Sequence, residues 1–65
     1  MYPNLKAECA KKNISNRQLA VCINVHENTI ANRYKGESHY EIEDAFKIRW
    51  AFFPELDLEY LFAAS

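Results

Sequence analysis

The sequence predicts an all-α domain built from five short helices. Three observations point there. The 65 residues hold one glycine and two prolines, while Ala, Leu, Glu and Lys recur, a composition that favours helices joined by short turns. Apolar residues return every three or four positions between stops made of Asn, Gly and Pro. No segment alternates apolar with polar residues over the length a strand needs. With 49% hydrophobic and 14% aromatic residues, the chain is too rich in core-forming side chains for long disorder, and its length is that of a single domain, 1–65.

The first helix is expected from about Asn4 to Lys12, with Leu5, Cys9 and Ala10 facing inward. Asn13 stops it, because Asn tolerates the left-handed conformation. Ser15 opens the second helix: its hydroxyl caps, and Gln18 three residues on completes an S-x-x-Q capping box. Leu19, Ala20 and Ile23 are the buried side, and Asn24 is the stop. The third helix runs from Glu27 to Lys35, before Gly36. Only Ile30 and Tyr34 are large apolar residues in it, so it is polar around most of its circumference and held by one narrow seam. After a loop at Glu37–Tyr40, the most apolar helix spans about Ile42 to Phe53. Ala45, Ile48, Ala51 and Phe52 point inward, Phe46 flanks them, and Pro54 marks the end. A last short helix, about Leu58 to Ala63, is capped by Asp57 and docks through Leu58, Leu61 and Phe62.

Composition excludes several function classes. No stretch approaches the ~18 apolar residues of a membrane span. The start MYPNLKAECAKK has no apolar run between a basic end and a cleavage site, so no secretion signal is evident. Two cysteines, Cys9 and Cys22, are too few for a disulfide framework and read as reduced thiols. Together with His26 and His39 they lack the close pairs of a zinc site. A domain this small buries only about 60% of its unfolded surface, which leaves little room for a deep catalytic pocket. No catalytic residue, metal, cofactor or small-molecule ligand is expected, and the expected compartment is cytoplasmic.

The net charge of −1 argues at first sight against a nucleic-acid partner. It is unevenly spread. Residues 1–36 carry six basic and two acidic side chains, a balance of +4; residues 37–65 carry two basic and seven acidic, a balance of −5. Such asymmetry points to an electrostatic partner for one half.

The middle of the chain, NRQLAVCINVHENTIANRY from Asn16 to Tyr34, reads as helix, Asn turn, polar helix. Leu19, Ala20, Ile23, Val25 and Ile30 have the spacing a helix-turn-helix needs. Ala20 must be small where the next helix crosses, and Val25 plugs the angle between the two. The pattern L-A-x-x-I-x-V-x-x-x-T-I at Leu19–Ile30, the Gly36 stop, and the segments A-F-K-I-R at Ala45–Arg49 and L-E-Y-L-F at Leu58–Phe62 together resemble the Cro/CI-type, Xre-like helix-turn-helix regulators of phages and mobile elements. The resemblance covers nearly the whole chain. It departs from the family at Asn24, where Gly is usual, at His26, where Ser or Thr usually caps, and at Arg33, where an apolar residue is frequent. Tyr34 is read as taking over the packing there, leaving Arg33 free.

The resemblance implies a compact five-helix, lambda-repressor-like DNA-binding domain with its helix-turn-helix at 16–35. It further implies a bacterial or phage-encoded transcriptional repressor acting on a double-stranded operator as a homodimer. Glu27, Asn28, Thr29, Asn32 and Arg33 fall where the family reads base edges, and their chemistry suits it. Asn bonds adenine twice, Arg grips guanine, Glu accepts from cytosine and Thr touches a thymine methyl. Asn16 and Arg17 open the second helix, whose free N–H groups suit a phosphate. Lys35, Ser38, His39 and Tyr40 follow the third helix and are placed for backbone contacts that position without reading sequence.

Trp50 falls out of step with Ile48, Ala51 and Phe52. It is either a ring folded over the last helix or a hot spot at a subunit interface, with Phe53, Leu56 and Tyr60 in the same patch. The alternative function is a protein-interaction module on the same scaffold, an antitoxin or antirepressor. Its polar third helix is then simply a solvated face.

Overall fold

The computed structural model describes residues 1–64 and holds five α-helices: α1 Pro3–Lys12, α2 Asn16–Ile23, α3 Glu27–Lys35, α4 Ile42–Phe52 and α5 Leu58–Leu61. Among the described residues there is no strand. No helix among them is long and apolar enough to cross a membrane.

The first three helices end in the same way. Asn13, Asn24 and Gly36 sit at φ 57°, 58° and 86°. The residue after each donates back to a carbonyl five positions earlier: Ile14 to Cys9 at 2.9 Å, Val25 to Ala20 at 3.0 Å, Glu37 to Asn32 at 3.0 Å. These left-handed closures satisfy carbonyls that a helix end otherwise leaves bare, and Asn serves where Gly is conformationally easiest. At the start of α2 both halves of the capping box form. Gln18 N–H donates to Ser15 Oγ at 3.2 Å, and Ser15 N–H donates to Gln18 Oε1 at 2.8 Å. The expected Asp57 cap does not form. Asp57 stands at the N-cap position of α5, but its carboxylate bonds no helix N–H; its backbone carbonyl takes the Leu61 N–H at 3.1 Å. The helix itself is shorter than expected and stops at Leu61.

α2 lies at the centre, against both α3 and α4, while α5 closes the other side against α1 and α4. Leu5, Leu19, Ile30, Ile48, Phe53 and Leu61 are fully buried; each helix contributes one of them, and Phe53 directly follows the end of α4. Ala10 and Ala51 were expected inward and are exposed. Both lie at the edge of their apolar arc, where a methyl group adds too little burial to set the helix rotation.

Polar ties hold the periphery. Lys12 Nζ reaches the Phe52 carbonyl at 2.7 Å and Glu55 Oε2 at 3.0 Å, joining α1 to the turn after α4. Arg49 closes that same turn by donating to the carbonyls of Leu56 and Pro54. Tyr2, Tyr40 and Phe62 meet edge to face with ring centroids 5.1–6.1 Å apart. The α-amino group of Met1 donates to the Tyr34 carbonyl at 2.7 Å, next to the end of α3.

Candidate nucleic-acid interface

α3 rests on α2 through Ile30, which is fully buried, and through the half-buried Tyr34. The turn that leads into it is anchored by half-buried Val25 and closed by His26, whose Nδ1 accepts the Asn28 N–H at 3.2 Å. An imidazole thus takes the capping role of a Ser or Thr hydroxyl, which requires its proton on Nε2.

The seam fixes what α3 presents outward. Asn28, Asn32 and Lys35 recur at i, i+4 and i+7, one stripe of a helix. Glu27, Asn28 and Lys35 are exposed, whereas Thr29 and Asn32 are half-buried. Of the five expected base-reading side chains, Asn28 and Asn32 therefore lie on the outward stripe, and Glu27 and Thr29 reach the surface on its two flanks.

Arg33 does not, which corrects the expectation that it is free. It is only 8% exposed. Its guanidinium turns inward, with Nη1 3.7 Å from Asp44 Oδ2 at the start of α4 and Cζ 4.6 Å from the centre of the Tyr40 ring. Position 33 is three residues from Ile30, on the buried side, so the chain keeps an inward residue there and fills the place with the arginine stem. Nε and Nη1 of Arg33 and the Tyr40 hydroxyl are buried without a hydrogen-bond partner. Burial, the larger influence, pushes the Tyr40 phenol well above its ordinary value against the pull of Arg33.

Of the expected phosphate contacts, Asn16 and Arg17 are exposed on the first turn of α2, and Lys35 and His39 are exposed at and beyond the end of α3. Ser38 is half-buried between them. Much of the positive charge of the first half is already committed. Lys11 pairs with Glu8 at 3.3 Å, Lys12 with Glu55 at 3.0 Å, and Arg33 with Asp44. Arg17 and Lys35 make no ion pair among the described residues.

The expected interface patch comes apart. Trp50 is 71% exposed and is not folded over α5. Phe53 is fully buried, under the Lys12 ammonium 4.9 Å from its ring centre. Leu56 packs half-buried against the core. Both belong to the turn that Arg49 and Lys12 pull onto the core, which is why they face inward. Tyr60 is partly exposed, but its hydroxyl donates to Glu8 Oε2 at 2.8 Å and its carbonyl accepts from Asn4 Nδ2 at 2.9 Å, so it stitches α5 to α1. Instead, Trp50 shares its face with Ile42 and Phe46, exposed by 64% and 45%. Their four-residue spacing is legible in the sequence and marks them as one stripe.

Cys9 is buried and Cys22 half-buried; burial raises both thiols above their ordinary value, which keeps them in the unreactive protonated form. Among the described residues no three His, Cys, Asp or Glu side chains gather as a metal would need. Comparison with family models, with curated proteins and with solved structures found no match.

Proposed function

We propose that the chain binds double-stranded DNA sequence-specifically through α3, as a repressor of phage or mobile-element type, in the manner of a lambda-repressor-like helix-turn-helix at 16–35. The observation that supports this best is the outward stripe of α3. Asn28 and Asn32 stand one helical turn apart, with Glu27 and Thr29 beside them, on a helix held from behind by Ile30 and Tyr34. Neighbouring amides on a rigid helix are suited to bidentate contact with adenine edges in the major groove. Arg17 on α2 and Lys35 at the end of α3 flank that stripe in sequence and carry charge that no carboxylate neutralises, as contacts to phosphate require. Occupancy of an operator is then sufficient for repression.

Selection of bound sequences from a random duplex pool tests this. An enriched motif whose readout is altered by Asn28→Ala supports the reading. A pool that stays unenriched at low salt refutes it and turns attention to the alternative, an interaction module that binds another protein.

A further inference from the structure

The outer side of α4 is apolar where it meets water. Ile42, Phe46 and Trp50 form one exposed stripe along it. Contiguous exposed apolar surface on a small chain marks a contact site. Beside the stripe, α2 and α4 leave an open groove of about 490 Å³ whose walls include Val21, Cys22, Ala51 and Phe52, with Arg17 at its rim. Val21 is 74% exposed there.

We propose that this face is a homodimer interface in which Trp50 of each copy seats in the α2–α4 groove of the other. The occupant is a second copy because the face is self-complementary. A two-fold interface brings the same patch together with itself, so a projection must lie beside the recess that receives it. Here the indole and the groove wall at Ala51 are adjacent residues, about 100° apart around α4. The charges divide the same way. Glu43 lies two turns before Trp50 on the indole side, while Lys47 lies on the groove side. Both are exposed and neither is in an ion pair among the described residues. A two-fold arrangement sets the acid of each copy toward the base of the other. A stable interface takes about 800 Å² per partner, a substantial share of the chain's 4241 Å²; the stripe alone is about 12 Å long, so the contact takes in the groove and the exposed side of α2 beside it. No residue of α3 belongs to the stripe or the groove wall, so pairing leaves that helix uncovered, and the proposal stands whether or not α3 reads DNA.

The test is the oligomeric state of the chain without DNA. Trp50 is the sole tryptophan, so its emission reports the contact directly. Sedimentation over a concentration series should show dimer, with the emission moving to shorter wavelength in step. Trp50→Ala and Val21→Glu each weaken association by about tenfold or more, the size of a buried-tryptophan hot spot. Helical circular dichroism stays unchanged because both side chains are exposed. Mixing the two variants restores one of the two contacts, since one partner keeps its indole and the other its groove. The mixture therefore associates more tightly than either variant alone. A chain that stays monomeric throughout, a dimer indifferent to either substitution, or a mixture no more associated than its components overturns the proposal.

Discussion

Arg33 and Asp44 face each other from α3 to α4, Nη1 3.7 Å from Oδ2, in a place where the arginine is almost wholly enclosed. The separation gives attraction without a hydrogen bond. Two guanidinium nitrogens remain buried and unpartnered, which offsets much of that attraction. α3 leans chiefly on α2, so this pair, with Tyr40 under the guanidinium, is its second support.

The first prediction separates support from recognition. Arg33→Met keeps the buried stem and removes the unpaired N–H groups but leaves the Asp44 carboxylate, still 20% exposed to water, without its cation, so it destabilises, though less than a substitution that also removes the stem. Arg33→Ala also removes the stem and costs about 2–4 kcal/mol, the range of a core truncation. Urea titrations of the two variants check the contrast. If the motif selected by Arg33→Met differs from the parent motif at a guanine, the arginine reads bases after all.

Asn28 and Asn32 are the residues to test for readout. Each changed to Ala should cost about 1–3 kcal/mol on the selected sequence and relax preference at one position only. Binding isotherms on the selected duplex and on its single-base variants measure this. Equal losses on every duplex would make the two amides backbone contacts.

The helices and their stops were largely legible because they are decided locally. Asn13, Asn24 and Gly36 end helices for backbone reasons that neighbouring residues announce, and Ser15 with Gln18 announces a start. Residues that face one another across the fold were not legible in the same way. Arg33 looks like a free cation until Asp44 comes round from the next helix and Tyr40 from the loop before it. Phe53 and Leu56 look like surface until the turn after α4 folds back over the core. The stripe from Ile42 to Trp50 carries a different lesson: four-residue spacing of apolar side chains announces one helix face but does not say whether that face points at the core.

His26 replaces the usual hydroxyl cap with an imidazole nitrogen at 3.2 Å from the Asn28 N–H. His26→Ala should lower stability by about 1 kcal/mol, the typical value of a lost N-cap, and His26→Ser should restore most of it. Thermal unfolding of the three proteins in one buffer gives the comparison. No change on His26→Ala would mean that water caps the helix equally well.

The contact between Tyr60 and Glu8 predicts how stability depends on pH. The hydrogen bond from Tyr60, the largest influence, holds the Glu8 carboxyl below its ordinary value, with Lys11 adding to it. A depressed carboxylate contributes stability above its unfolded pKa and loses it as pH falls through the folded value. Tyr60→Phe should therefore move the Glu8 titration upward in an NMR pH series and flatten the acid side of the stability profile. At the alkaline end the sign reverses. Burial raises Tyr34 and Tyr40 well above the ordinary 10.0, so stability is complete below that value and declines as pH rises beyond it. Neither phenol should ionise in the spectrophotometric titration before the fold opens.

The committed charges make a last, quantitative prediction for the DNA complex. With Lys11, Lys12 and Arg33 paired, Arg17 and Lys35 remain as the two cations next to α3. Each neutralised phosphate contributes about −0.9 to the slope of log affinity against log salt. Two contacts give a slope near −2 for a single bound chain, and four give a slope near −4 for a bound pair. Lys35→Ala should make the slope shallower by about one unit per chain and weaken selected and random duplexes alike. A slope unchanged by Lys35→Ala would remove the end of α3 from the phosphate path. A slope far steeper than −4 would place Lys6 or the ion-paired lysines of α1 on the DNA, which requires Glu8 or Glu55 to let them go.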